Sequence, residues 1–506
     1  MNAASSAQRG CRSGPHGTGR QRTAVAVVYV AAMCMAIMDT TIVNVALPTI
    51  GRDFHARSGS VGTVSIAYLV SLTVFIPVSG WLGDRIGGRR ALLGAIGVFT
   101  IGSALCGLSA TLDELVAFRV VQGMGGAVMI PVGLALLFRV YPPAERVRIA
   151  SILALATALA PALGPILGGL FTTDLSWRWV FFVNVPIGAA TFIYGGLLLA
   201  GHTQPHPGRL DLAGLALSAV GLGSVMYGVS EGPAKGWSST AVLAAIVIGM
   251  TLLAALVIVE LRAANPLVNL RLFREHRLFT AATALYGLGS VSYLGALYLA
   301  ALFFQDALHL SALQSGLAVF PSALGVMGGG QLVTRVLYPR FGPRRLVAAG
   351  LLVIAAAMVL MGQVGTGTSL WLVRLIMLGL GVGVSFVFIP AQAISMATIS
   401  KAQTGQASPL FNAGKQLGGA IGVALLSSVL AAAGPTHEAA GRVTVNLAAF
   451  HLGFLAAAAV AAASVAVARC IRDADAAATM VPRRRQRDDR PAEGPALAAH
   501  GQLRQQ

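Results

Sequence analysis

Ala36-Ile-Met-Asp39-Thr-Thr-Ile-Val-Asn44-Val-Ala-Leu-Pro48 decides how the rest of the chain is read. It lies inside an apolar run from about Ala24 to Ile50, long enough to cross a bilayer as a helix. A carboxylate, Asp39, sits in the middle of that run. A central Asp costs about 2.5–3.5 kcal/mol on insertion scales, so it needs a reason to be there. At about 100° per residue, Asp39, Thr40, Thr41 and Asn44 fall on one arc, and Ile37, Met38, Val45 and Leu47 elsewhere. This predicts a membrane helix whose polar face turns to a cavity or a partner helix. Apolar residues continue on both sides of Asp39, which argues against a helix end that snorkels.

The composition agrees. Of 506 residues, 56% are hydrophobic and 11% charged, and the mean hydropathy is +0.75. That is the profile of an all-α polytopic membrane protein. The formal charge of +18 does not indicate nucleic-acid binding, because the cations sit in short loops and tails with no aromatic-interleaved basic face. Cys11, Cys34, Cys106 and Cys470 are scattered, with no metal-ligand or disulfide spacing, so no metal is expected. The first apolar run is too long and too polar at its centre for a cleaved signal peptide.

Fourteen apolar segments can be counted. With the N-terminus cytoplasmic, inside segments hold 28 Lys and Arg against 5 outside, while Arg119, Arg374 and Lys415 lie within helices. That bias predicts an even count with both termini cytoplasmic. Residues 1–23 read as a disordered N-terminus, 24–200 as a six-helix half, 211–262 as two linking helices, 277–471 as a second six-helix half and 472–506 as a disordered tail. The Gly80–Arg90 loop has an echo in Arg335–Arg345, as expected of an internal repeat in a transporter.

Four motifs stand out. The loop Gly80-Trp-Leu-Gly83-Asp84-Arg85-Ile-Gly87-Gly88-Arg89-Arg90 combines turn-forming glycines with an acid and three arginines. In the fourth segment Arg119, Gln122, Gly123 and Gly126 share one face. Asp39 lies 15 residues from the inner start of its helix, about 22 Å, and Arg119 about 7 Å from the outer start of its own. Across a core of about 30 Å the two reach similar depth, so Asp39, Arg119, Asn44 and Gln122 are expected to form one polar network. The fifth segment places Pro161, Gly164, Pro165 and Gly168 on one face, with Gly169 beside them, for close helix packing. In the thirteenth, Asn412, Lys415, Gln416 and Gly419 make a polar stripe beside Gly414, Gly418 and Gly422.

These motifs carry a family resemblance. The loop resembles the cytoplasmic motif of the major facilitator superfamily, where it implies a gate that stabilises the outward-open state. Gly164-Pro165-x-x-Gly168-Gly169 resembles the antiporter motif of drug:proton exchangers. The first helix resembles that of the fourteen-helix branch, the EmrB/QacA type. Relatives usually carry Arg where this chain has Lys415. That residue is read as structural, with titration as the alternative. The resemblance implies a major facilitator fold of two six-helix halves plus two central helices. It also implies proton-coupled efflux of small lipophilic drugs by alternating access, with no cofactor beyond the proton gradient. The expected partners are substrates, protons and lipid, and the protein is expected to be a monomer. A dedicated exporter of one metabolite, or an uptake transporter, is the alternative. No hydrolase, metalloenzyme or phosphate-loop motif points to an enzyme. Arg outnumbers Lys 33 to 3, which fits a GC-rich bacterial genome and a plasma-membrane location.

Overall fold

The computed structural model describes residues 19–55, 61, 63–200, 211–263, 269–400, 403–434, 436–439 and 442–480. The described chain is helical apart from one short hairpin. The first helices are α1 (Gly19–Asp53), α2 (Thr63–Phe75), α3 (Val78–Ile86), α4 (Gly88–Leu108), α5 (Leu112–Val140) and α6 (Arg146–Asp174). They are followed by α7 (Trp179–Phe182), α8 (Asn184–Leu198), α9 (Leu212–Lys235), α10 (Thr240–Arg262) and α11 (Arg271–Glu275). Then come α12 (Arg277–Leu302), α13 (Ala312–Val319), α14 (Pro321–Leu332), α15 (Tyr338–Met361), α16 (Leu370–Ser395) and α17 (Thr404–Ala433). The hairpin β1 (Thr436–Ala439) and β2 (Arg442–Val445) precedes α18 (Leu447–Ala468) and α19 (Ala477–Met480).

Ten helical stretches among the described residues are long and apolar enough to cross a bilayer, or eleven when α2 and α3 are taken as one bent span. The 58° bend between those two falls at Pro77, which cannot donate a helix hydrogen bond. Large apolar side chains on the outer helices face outward, as in Leu197 and Trp371, where lipid takes the place of a core partner. The sequence count is fourteen. The difference lies in Gln314–Met361, one 48-residue helical stretch, in α9, whose apolar part is Ala213–Val229, and in α6.

Helix neighbours recur along the chain. α1 packs on α5, α6 and α8, and α12 packs on α16, α17 and α18. α5 packs on α2 and α4, just as α16 packs on α14 and α15. The two echoing loops also match in backbone. Gly87 has φ 86° and Gly342 has φ 72°, and each stands just ahead of an Arg pair, Arg89-Arg90 and Arg344-Arg345. A left-handed turn at that point favours glycine, which lacks a Cβ. α9 and α10 pack on each other, and α9 touches both α2 and α17.

The ends of the chain correct one expectation. Gly19–Thr23 already belong to α1, and residues 1–18 lie outside the described part. Of the tail, 473–480 is ordered against the body. Asp473 accepts from the Arg344 backbone N–H at 3.0 Å, and the Tyr338 and Thr479 hydroxyls are 2.6 Å apart. These bonds give the start of the tail fixed partners, which its charged, Ala-rich sequence does not advertise. Residues 481–506 lie outside the described part.

Candidate functional site

Asp39 is fully buried and every oxygen of its carboxylate is engaged. Oδ2 accepts from Arg119 Nη1 at 2.5 Å. Oδ1 accepts from Gln122 Nε2 at 2.8 Å and from Asn184 Nδ2 at 3.1 Å. Arg119 also donates to Gln122 Oε1 at 2.7 Å and, through Nε, to the Val64 carbonyl at 3.3 Å. Its guanidinium lies over the Tyr68 ring, 4.2 Å from the centroid. Ser103 Oγ accepts from Gln122 and Asn184, both at 3.2 Å, and donates to the Phe181 carbonyl at 2.9 Å. Side chains from α1, α2, α4, α5 and α8 therefore converge on one charge pair closed off from solvent.

Glycines let these helices come close enough. A Cβ on Gly102 would lie 2.8 Å from the Gln122 backbone, and one on Gly123 would lie 2.7 Å from Ser71 Cβ. α6 presses on α1 just beyond Asp39. A Cβ at Gly164 would clash outright with Thr41, and one at Gly168 would meet the Ile42 carbonyl at 3.1 Å. Gly169 faces open space, so it takes no part in this contact. Pro161 and Pro165 lie within α6, but their side chains are outside the described part.

Two expectations about the network need correction. Asn44 does not join it: it is exposed, and its Oδ1 accepts from Ser65 Oγ at 2.8 Å. Five residues of helix rotate it about 140° away from Asp39. Conversely, sequence reasoning missed Asn184 and Ser103. Asn184 carried a usable signal, a lone amide after Trp179-Val-Phe-Phe-Val in an apolar stretch. Ser103 carried none, because small hydroxyls are common in packed membrane helices.

At the Arg-rich end of the bundle, Arg139 Nη2 pairs with Asp84 Oδ1 at 3.2 Å. A Cβ on Gly80 would lie 2.8 Å from the Gly405 carbonyl, so α3 and the start of α17 nearly touch. Gly83 stands against Val132, Gly87 makes the turn, and Arg89 Nη2 donates to the Gly196 carbonyl at 2.5 Å. Arg85 and Arg90 are exposed. Two further bonds join the halves at this end. Arg146 donates to the Met396 carbonyl at 2.7 Å, and Ser408 Oγ to the Pro131 carbonyl at 2.6 Å.

From Ser408 the seam between α5 and α17 opens. One turn on, Asn412 and the facing Ala127 are still buried. A further turn on, Lys415 is half-buried and Met124 is 36% exposed; next comes Val120, also exposed. Asn412 Nδ2 bonds the Ser408 carbonyl of its own helix at 2.9 Å. Gln416 is half-buried beside Lys415. No group of three or more His, Cys, Asp or Glu suited to a metal occurs among the described residues.

A sequence profile described as Major Facilitator Superfamily matches residues 29–423. The Mycobacterium tuberculosis "multidrug resistance protein B homolog" is 32% identical over 412 residues, covering 80% of this chain and 75% of that protein. The Streptomyces glaucescens "tetracenomycin C resistance and export protein" is 31% identical over 419 residues, covering 82% and 76%. Among solved structures, a human organic anion transporter superposes with a TM-score of 0.63 at 17% identity, covering 89% of this chain and all of that one, a likeness of fold. With its many apolar helices and bacterial relatives, this is a multi-pass protein of the bacterial plasma membrane. The chain belongs to the major facilitator superfamily.

Proposed function

We propose that this protein exports small lipophilic drugs or antibiotics across the bacterial plasma membrane in exchange for protons. The relatives are resistance and export proteins by name, which supports the direction and the substrate type. The observation that carries the coupling is the sealed carboxylate: Asp39, fully buried, bonded to Arg119, Gln122 and Asn184. Protonating it would leave Arg119 hydrogen-bonded to the Val64 carbonyl and Gln122 Oε1 and seated over the Tyr68 ring, but without a counter-charge. That cost ties a change of protonation at Asp39 to a rearrangement around the pair.

The remaining chemistry is mechanical. The halves meet at the Arg-rich end through Asp84–Arg139, Ser408–Pro131 and Arg146–Met396, and the α5–α17 seam widens away from it. With that end cytoplasmic, this is an outward-facing arrangement, and rocking the halves would close the outer side. In this reading the chain crosses fourteen times with both termini cytoplasmic: Gln314–Met361, about 72 Å of helix, makes two crossings, and α6 and α9 make one each. The transporter acts as a monomer and needs no cofactor. Each proton moving inward supplies about 2.3 kcal/mol per 100 mV of membrane potential.

Everted vesicles from cells expressing the protein test this reading. Respiration-driven uptake of a substrate drug against its gradient, collapsed by a protonophore, is the expected result. Uptake that survives the protonophore would exclude proton coupling.

A further inference from the structure

Lys415 is a cation that the coupling network does not use. It lies about 16 Å into α17, near mid-membrane depth. It sits on the face that carries Ser408, since seven residues return a helix to nearly the same side. Ser408 touches α5 across the seam, so Lys415 leaves α17 at the border between its α5-facing and α12-facing sides, two turns beyond that contact. Gly414 and Gly418, about 100° and 60° round the helix from Lys415, pack α17 onto Thr283 and Gly287 of α12, and Gly422, on nearly the same side as Lys415 but two turns further on, packs onto Val291.

Among the described residues Lys415 makes no hydrogen bond and no ion pair. Its Nζ lies 5.8 Å from the centroid of the Tyr286 ring. Tyr286 stacks on Phe388 at 4.4 Å with planes 10° apart, and Phe411 meets it edge-on at 5.0 Å. Asp39, the carboxylate of the other half, is sealed off and committed to Arg119. A half-buried ammonium at membrane depth without a counter-charge among the described residues costs free energy unless something else supplies the charge. The α5–α17 seam it borders is where a transported molecule would sit.

We propose that Lys415 selects the substrate: the exported molecules are anions with an apolar body, bearing a carboxylate or an ionised phenol or enol. The ammonium binds the anionic group, and the apolar body lies along the exposed Met124 and Val120 side chains. This rests on the export reading above and narrows it, because a purely lipophilic cargo would leave Lys415 unused.

The test is binding, measured apart from transport. The full-length protein in nanodiscs is titrated with naphthoate and with the uncharged naphthamide, following naphthalene fluorescence against empty nanodiscs. Wild type should bind the acid about tenfold more tightly than the amide, the least expected of one charge-assisted hydrogen bond. Lys415→Gln should bring the ratio near one, and Lys415→Arg should keep it. Equal affinities in wild type, or an unchanged ratio in Lys415→Gln, overturns the assignment. The ratio is taken within one preparation, so partial unfolding does not distort it. Where Lys415→Gln fails to fold, Lys415→Met takes its place with the same expected loss of preference, and equal wild-type affinities still overturn the assignment. A wild type that shows the preference but moves naphthoate into no everted vesicle overturns the export reading and leaves Lys415 as the anion site.

Discussion

Asn184 shows how finely the charge pair is held. Its Nδ2 supports Asp39 and Ser103, while its Oδ1 is buried without a partner. A buried acceptor left unmade is a cost, so the side chain is not there for stability alone. Turning the amide over would offer Oδ1 to a protonated Asp39, which has a proton to donate where the carboxylate had none. Asn184→Leu should therefore change thermal stability by less than about 2 kcal/mol, because the lost bond is offset by the removed orphan. Transport should nonetheless fall several-fold. Arg119→Gln, which strands a buried carboxylate, should cost about 3–5 kcal/mol and lower the amount of folded protein. Unfolding midpoints in detergent, set beside uptake per folded molecule, separate the two effects. If Asn184→Leu destabilises as much as Arg119→Gln, Asn184 is a structural strut. Asp39 and Arg119 could be matched from the sequence by depth alone, because helical rise is regular. The arc drawn around Asp39 is too wide: it takes in Asn44, which the same 100° step places about 140° away.

The helix contacts that matter most are those where small residues remove the spacing between backbones. Gly164 and Gly168 bring α6 against α1 at Thr41 and Ile42, within a turn of Asp39. Movement of α6 during rocking would thus be felt at Asp39. Gly164→Val would force the helices apart, since a Cβ there already overlaps Thr41 and approaches the Ile42 amide at 3.1 Å. Backbone is on one side, so no rotamer change relieves it. We expect protein that inserts in the membrane but has lost at least about 90% of uptake. Uptake near the wild-type level would show that the α1–α6 contact is not part of the cycle. The spacing of these glycines announced a close contact, but not its partner. That depends on how helices far apart in sequence assemble, which local periodicity does not encode. The α2–α3 bend is legible in Pro77 itself, whereas the start of the tail acquires partners at Arg344 and Tyr338 that only the fold brings near.

For the whole molecule, the repeat of helix neighbours means that the two halves share one plan with different contents. The first half holds the sealed Asp39–Arg119 pair, and the second holds Lys415 on an aromatic wall. The apolar segments and the 28-to-5 charge bias made this plan legible from sequence, because membrane insertion itself reads hydropathy and Lys and Arg. Reporter fusions test the crossings. A fusion within 201–210 and one at the C-terminus should both report the cytoplasm, and one at Gly236 the outside. A C-terminus on the outside would break the fourteen-helix count. The central claim is that Asp39 carries the coupled proton. Everted vesicles acidified by respiration and followed with a pH-sensitive dye test it most directly. Adding a substrate drug should release protons from vesicles carrying wild type and not from those carrying Asp39→Asn at equal abundance. An equal drug-dependent proton leak through Asp39→Asn would contradict the account.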